Sequence, residues 1–146
     1  MSSKSAADDM YKLWERLFVE TIAEWPGFVE QSARFVVVRR GLFVALTYAD
    51  QDRDVMLHLH NDLPELILHL VKIRIGIPMR GSGLGNSLYE AVIKFGKSVG
   101  MRYVHCYPAG LAIRSEHEDK SRKQYLARRG WNFVSRDSDE MRIKCS

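Results

Sequence analysis

The sequence predicts a single mixed α/β domain. Three features point that way. The first half holds several short β-rich runs separated by turn residues. The second half opens on an apolar run, followed by a glycine-rich loop, a long helical stripe and another short strand. No internal repeat, low-complexity tract or linker interrupts the 146 residues, a length that suits one hydrophobic core.

Residues 1–7 read as a disordered polar leader. Over residues 8–24, Met10, Leu13, Trp14, Leu17, Phe18 and Ile22 recur at three- and four-residue steps, which predicts an amphipathic helix with Asp8 or Asp9 as N-cap. Trp25-Pro26-Gly27 should end it. Residues 34–38 and 42–48 are β-rich and flank Arg39-Arg40-Gly41, a hairpin turn. A third strand is expected over 55–60, after an acidic loop at 49–54 and before the break Asn61-Asp62-Leu63-Pro64. The near-continuous apolar run at 66–75 has the pattern of a buried central strand.

Downstream, Leu84, Leu88, Val92, Phe95 and Val99 form one helical stripe with Ile93 beside it, and Gly100 is a natural C-terminal stop. A short strand at 102–107 should place Val104 and Cys106 on one face. A loop at 108–113 leads to a charged helix at 118–129, closed by Gly130. Residues 131–134 and 140–144 read as a final antiparallel pair.

Composition narrows the function classes. Hydrophobic residues make up 46%, too many for a disordered chain, and no apolar run approaches membrane-spanning length. The N-terminus lacks the apolar core of a signal peptide. Cys106 and Cys145 are too few for a disulfide framework. A cytoplasmic protein with reduced thiols is the expectation. Charge is uneven: residues 1–71 carry 7 Lys/Arg and 11 Asp/Glu, whereas residues 72–146 carry 15 and 7. The basic half contains the glycine loop, so a polyanionic ligand would be favoured there.

That loop is Arg80-Gly81-Ser82-Gly83-Leu84-Gly85. Alternating glycines leave the backbone amides uncovered, and the following helix turns its positive dipole end toward them. The combination is an anion cradle. A dinucleotide fingerprint needs Gly-x-Gly-x-x-Gly, but the spacing here is Gly-x-Gly-x-Gly, and the next strand ends Cys106-Tyr107-Pro108 without the acid that would hold a ribose. Gly96-Lys97-Ser98 looks like a P-loop tail, but Ala91 occupies the required first glycine position, and a helix C-terminus repels phosphate.

The loop resembles the acyl-CoA loop of the GNAT superfamily of N-acetyltransferases, Gln/Arg-x-x-Gly-x-Gly/Ala, at every specified position. Tyr125-Leu126-Ala127-Arg128-Arg129-Gly130-Trp131 is similar to a second signature of that family, in which an aromatic residue and a tyrosine precede a glycine. The resemblance covers about residues 66–134 well and the first half only by order of elements. It implies a single-domain GNAT-like α/β (α+β) fold, with a mixed central sheet, splayed strands and flanking helices. It also implies acetyl-CoA as cosubstrate, no metal, and direct attack of a neutral amine on the thioester carbonyl. Ile75 and Ile77 would offer backbone groups to the pantetheine arm. Arg80, Gly81, Ser82, Gly83, Leu84 and Gly85 would bind the pyrophosphate, with Asn86 and Ser87 at the helix start.

The catalytic groups are less clear. The family tyrosine, four residues before the glycine, falls on Leu126, and Tyr125 takes the preceding aromatic position. One residue is about 100° of helix, so Tyr125 is expected to face the core. Tyr107, at the end of the strand after the loop helix, is an alternative general acid. His69, on the strand before the loop, is the candidate base by its unperturbed pKa, although a lone histidine in an apolar run is also a common core residue.

Other constellations carry less. His58 and His60 share a strand face but lack a third ligand for zinc. Asp50, Asp52 and Asp54 echo a calcium loop, but Val55 and Asn61 stand where Gly and Glu are needed, so they read as a solvated loop. His105 and Cys106 are strand neighbours and must point to opposite faces, which excludes a nucleophile–base dyad. The expected function is therefore acetyl transfer to a primary amine, of a small molecule or a protein. The alternative is a catalytically weak or inactive CoA-binding module of the same fold. No membrane partner is expected, nucleic acid is disfavoured, and homodimer formation is left open.

Overall fold

The computed structural model describes residues 3–50, 53–76, 83–108 and 116–145, with side chains from residue 9 and, in the last segment, from residue 120. The chain runs α1 (Ser3–Ala23), a 3-10 turn (Glu30–Ser32), β1 (Arg34–Arg40), β2 (Phe43–Asp50), β3 (Arg53–Asp62), β4 (Ile67–Ile75), α2 (Leu84–Ser98), β5 (Tyr103–Cys106), α3 (Glu116–Arg128), β6 (Asn132–Phe133) and β7 (Met141–Lys144). All seven strands form one mixed sheet in the order β1-β2-β3-β4-β5-β7-β6. Only the β4–β5 pair is parallel.

Strand alternation makes one face of this sheet apolar. Val44, Leu46 and Tyr48 of β2, Val55, Leu57 and Leu59 of β3, Leu68 and Leu70 of β4, and Val104 and Cys106 of β5 belong to one buried cluster. Trp14, Phe18 and Ile22 of α1 and Leu88, Val92 and Phe95 of α2 close over it. Trp14 rests on Phe95, with ring centroids 3.4 Å apart. The opposite face carries Val36 and Val38, both exposed, and, one from each of three neighbouring strands, His60, His69 and His105.

Several expected boundaries shift. α1 starts at Ser3 instead of residue 8, inside the stretch expected to be a leader. Residues 3–7 include two alanines and no glycine or proline, so nothing in them opposes helix. Asp8 and Asp9 are therefore interior residues and not caps. The β1–β2 turn is Gly41-Leu42, because Arg40 already pairs with Phe43; Gly41 has φ +60°, as the first residue of a tight hairpin requires. The acidic loop is also shorter than expected: Asp50 pairs with Arg53 at the end of the β2–β3 ladder. Asp50 is buried, ion-paired to Arg53 and hydrogen-bonded by the Tyr48 hydroxyl (3.2 Å). It is a structural carboxylate and not part of a solvated loop.

Both later helices end on glycine as expected. Met101 N–H reaches back to Gly96 O (2.8 Å) beyond Gly100, and Trp131 N–H to Leu126 O (3.1 Å) beyond Gly130. Gly100 (φ +81°) and Gly130 (φ +92°) supply the left-handed step this closure needs.

Because α1 touches the sheet chiefly through β2 and is otherwise braced on α2, Trp14 is its anchor. Trp14→Ala should cost about 3–5 kcal/mol. Urea unfolding followed by circular dichroism would read this; a loss under about 1 kcal/mol would mean that α1 is held elsewhere.

Candidate active site

The parallel pairing of β4 with β5 runs from Ile67↔Tyr103 to Leu70↔Cys106 and then stops. β4 continues to Ile75, held by β3 through Val55↔Ile75. The described β4–β5 pairing therefore ends at Leu70/Cys106, five residues before β4 does.

α2 begins behind the end of β4. Gly83 is its N-cap with φ +84°, and an added Cβ there would meet nothing within 4 Å. The first intrahelical bond runs from Ser87 N–H to Gly83 O (3.1 Å), so the amides of Leu84, Gly85 and Asn86 precede the helical ladder. Gly85 lies against β4: a Cβ there would sit 3.1 Å from Ile75 Cδ1. The missing side chain lets the helix start close to the strand. Ile75, Gly83, Leu84, Gly85, Asn86 and Ser87 are thus brought together, and Ser87 Oγ donates to Gly83 O (3.2 Å). The expectations for Ile77, Arg80, Gly81 and Ser82 lie outside the described residues.

Tyr125 packs against the core as expected, its ring 5.7 Å from that of Tyr89, but is not enclosed by it. Leu126 takes the buried position, and Tyr125 is half-buried beside the start of α2. Its hydroxyl donates to Asn86 Oδ1 (3.2 Å), which also accepts from Arg129 Nε (2.9 Å). Arg129 stacks over the Tyr125 ring at 3.6 Å, and Asn86 Nδ2 donates to Glu90 (3.2 Å). Tyr125 therefore ties α3 to the first turn of α2. Burial raises the Tyr125 hydroxyl pKa, against the pull of Arg129 and Arg122.

On the other sheet face, His69 is not a lone histidine. It pairs in register with His105, their rings T-shaped at 5.6 Å. His105 is 5% exposed. Its Nδ1 contacts the carboxylate of Glu140, which immediately precedes β7. Nε2 of His105 is buried without a hydrogen-bond partner, a state that costs about 1–3 kcal/mol when nothing offsets it. Tyr107, exposed at the end of β5, lies close enough to the same Glu140 for the carboxylate to raise its hydroxyl pKa. Burial works to raise the Glu140 carboxyl, but Tyr107 and His105 hold it below its usual range. His69 is pushed below its ordinary value by burial and by His105, with Glu140 and Asp62 opposing. It is therefore largely neutral at neutral pH, as a base must be.

Ring nitrogens of His69 and His105 and an oxygen of Glu140 lie within 4.8 Å of one another, residue types that can hold a divalent cation. Two of these donors, however, are already spent on each other. Cys106 sits on the apolar face with its thiol pushed up to about 12 by burial, so it is no nucleophile. His58 and His60 share the helix-free face as expected, with His58 edge-on to Phe43 (5.6 Å).

No protein-family profile matches the sequence, and no curated protein does. Solved structures match its fold. The nourseothricin acetyltransferase is 13% identical and superposes with a TM-score of 0.53 over 79% of this chain and 85% of that one. A GNAT-family acetyltransferase from Staphylococcus aureus Mu50 is 12% identical, with a TM-score of 0.52 over 71% and 68%. The ribosomal-protein-S18-alanine N-acetyltransferase of Escherichia coli is 14% identical, with a TM-score of 0.51 over 88% and 89%. The chain has the GNAT acetyltransferase fold. Within the GNAT frame, three residues escaped the sequence reading: His105, Glu140 and Arg129. Only the β4–β5 register, and a contact across 35 positions from His105 to Glu140, reveal the first two.

Two outcomes follow. Gly83→Ala should cost about 1–2 kcal/mol from its left-handed backbone alone, read by urea unfolding, because open space surrounds the new methyl. Below the ordinary histidine value of 6.5, unfolded His69 binds more protons than folded His69. Its contribution to stability is complete above that pH and lost as pH falls through the folded value. Urea midpoints at pH 7 and 5.5 should therefore differ less in His69→Gln than in the parent; equal differences would show that another group dominates.

Proposed function

We propose that the protein is an acetyl-CoA-dependent N-acetyltransferase acting on a primary amine. The observation that carries this reading is that the described β4–β5 pairing ends at Leu70/Cys106 while β4 runs on to Ile75, against which Gly85 at the start of α2 packs. An extended pantetheine arm suits the end of that pairing. The start of α2 suits a pyrophosphate: among the described residues nothing lies within 4 Å of a Cβ built on Gly83, the first amides precede the helical ladder, and Arg129 adds a positive charge. Arg80, Gly81, Ser82 and Ile77 complete this site by their place in the sequence motif.

Acetyl-CoA supplies a thioester carbonyl. The chain's own residues orient it and manage protons. His69 is the proposed base: the amine N–H proton passes to its ring as the new N–C bond forms and the C–S bond breaks. Tyr107 is the proposed acid for the departing thiolate, since it shares Glu140 with the histidine cluster. Tyr125 is a bracing residue for the start of α2 in this reading, because its hydroxyl is engaged by Asn86 on the opposite side of the sheet. Both cysteine thiols are raised by burial, which favours direct transfer over an acyl-enzyme. The acceptor follows from no residue here; a cytoplasmic amine, free or on a protein, fits the reading.

A second reading has one observation in its favour. Leu126 replaces the family tyrosine and is fully buried, which suits a CoA-binding module without turnover.

Acetyl-CoA and CoA should stabilise the protein, by about 2.7 kcal/mol at a hundred times Kd, and NAD or ATP should not. Absence of any shift with CoA sinks both readings. Thiol release from acetyl-CoA with a panel of polyamines, aminoglycosides, amino acids and peptides separates them: binding without release favours the module.

A further inference from the structure

We propose that Glu140 and His105 form a positioning pair that sets the protonation and tautomer of His69, which alone takes the amine proton. The pair is new relative to the acetyl-transfer reading but rests on it.

Exposure orders the three groups. His105 is almost fully enclosed, whereas the His69 side chain is 32% exposed. Only His69 can meet an incoming amine, and His105 must act through it. The tautomer follows from hydrogen-bond chemistry. An ionised carboxylate only accepts, so the His105 nitrogen facing Glu140, Nδ1, carries the hydrogen. Nε2 of neutral His105 then holds a lone pair, and it is this buried atom that has no partner. The His69 ring, T-shaped to His105 with centroids 5.6 Å apart, is the neighbour whose N–H we assign to it. His69 would then present its other nitrogen as the base. Once protonated, it gains from Glu140 and from Asp62, whose Oδ2 lies 4.0 Å from Nε2.

The remaining charged and titratable groups around His69 fit this arrangement. His60 on β3 lies 5.9 Å away, ring to ring. Tyr103 packs edge-on to His105 at 5.9 Å and is itself covered by Arg142. Glu140 contacts His105 directly and acts on Tyr107, at the end of β5, through its charge, so one carboxylate influences both the base side and the acid side of the transfer. The balance is simple: the proton leaves the amine for His69, the acetyl carbon exchanges sulfur for nitrogen, and the thiolate takes a proton from Tyr107 or solvent.

The test follows histidine ring resonances by NMR in the full chain through a pH titration, with thiol release measured on the same samples. In Glu140→Gln the midpoint of His69 should move down, because a negative charge that favours its protonated form is gone. Glu140→Asp should bring it back toward the parent value. Turnover in Glu140→Gln should fall at least about tenfold through kcat, with KM for acetyl-CoA unchanged. A His69 titration that ignores Glu140→Gln, in a variant with a native near-UV spectrum, overturns the proposal. So does binding of one equivalent of zinc by the parent that is lost in His105→Ala, since the three side chains would then be metal ligands. If the parent releases no thiol while His69 still responds to Glu140→Gln, the acetyl-transfer reading falls and the pair stands.

Discussion

The parallel pairing of β4 with β5 is the constraint on which the rest depends. Parallel neighbours cannot be joined by a tight turn, so the chain must leave the end of β4, cross the sheet and return. α2 makes that crossing and packs its apolar stripe on the sheet. Its fit is close: Gly96 lets the helix approach so tightly that an added Cβ would lie 2.9 Å from Cys145 Sγ. β3 supports β4 as far as Ile75, whereas the described pairing with β5 ends at Cys106. One topological requirement thus places a helix start beside the stretch of β4 that lies beyond its described parallel pairing.

The same register organises the histidine cluster. His69 and His105 lie one pair before the described pairing ends. Their side chains point away from the helices, since Leu68, Leu70, Val104 and Cys106 claim the apolar face. On the helix-free face a polar side chain keeps access to solvent, and its neighbours set how much. β7 pairs antiparallel with β5 and delivers Glu140 just ahead of its first paired residue, Met141. A carboxylate, two imidazoles and a phenol are collected by backbone pairing from segments far apart in sequence, which is how sheets assemble proton-handling sites on a rigid frame.

The two faces divide the labour. Tyr125, Asn86 and Arg129 lie on the helix side and stiffen the start of α2. Tyr107 and the histidines lie on the other. Asn86 accepts from both Tyr125 and Arg129, so the helix start is tied to the end of α3. Ligand holding and proton handling therefore depend on different side chains. Damage to one need not abolish the other.

The sequence by itself determined the elements and their class. Helical stripes, glycine stops and strand alternation are local properties, and the boundaries they give depart from the structure only at ends such as Ser3 and Arg40, where propensity is permissive. The glycine motif could be read locally because it is written in consecutive residues; of it the structure describes Gly83, Leu84 and Gly85 at the start of α2. What only the tertiary structure decided is which distant residues meet. His69 looked solitary because its partners lie on β5 and before β7. Tyr125 was expected to face the core and its ring does pack there, but helix phase could not show that its hydroxyl reaches Asn86. Asp50 looked solvated because nothing local shows that Tyr48 and Arg53 enclose it. Periodicity fixes which way a side chain points within its element; register and packing fix what stands opposite, and that second fact holds the chemistry.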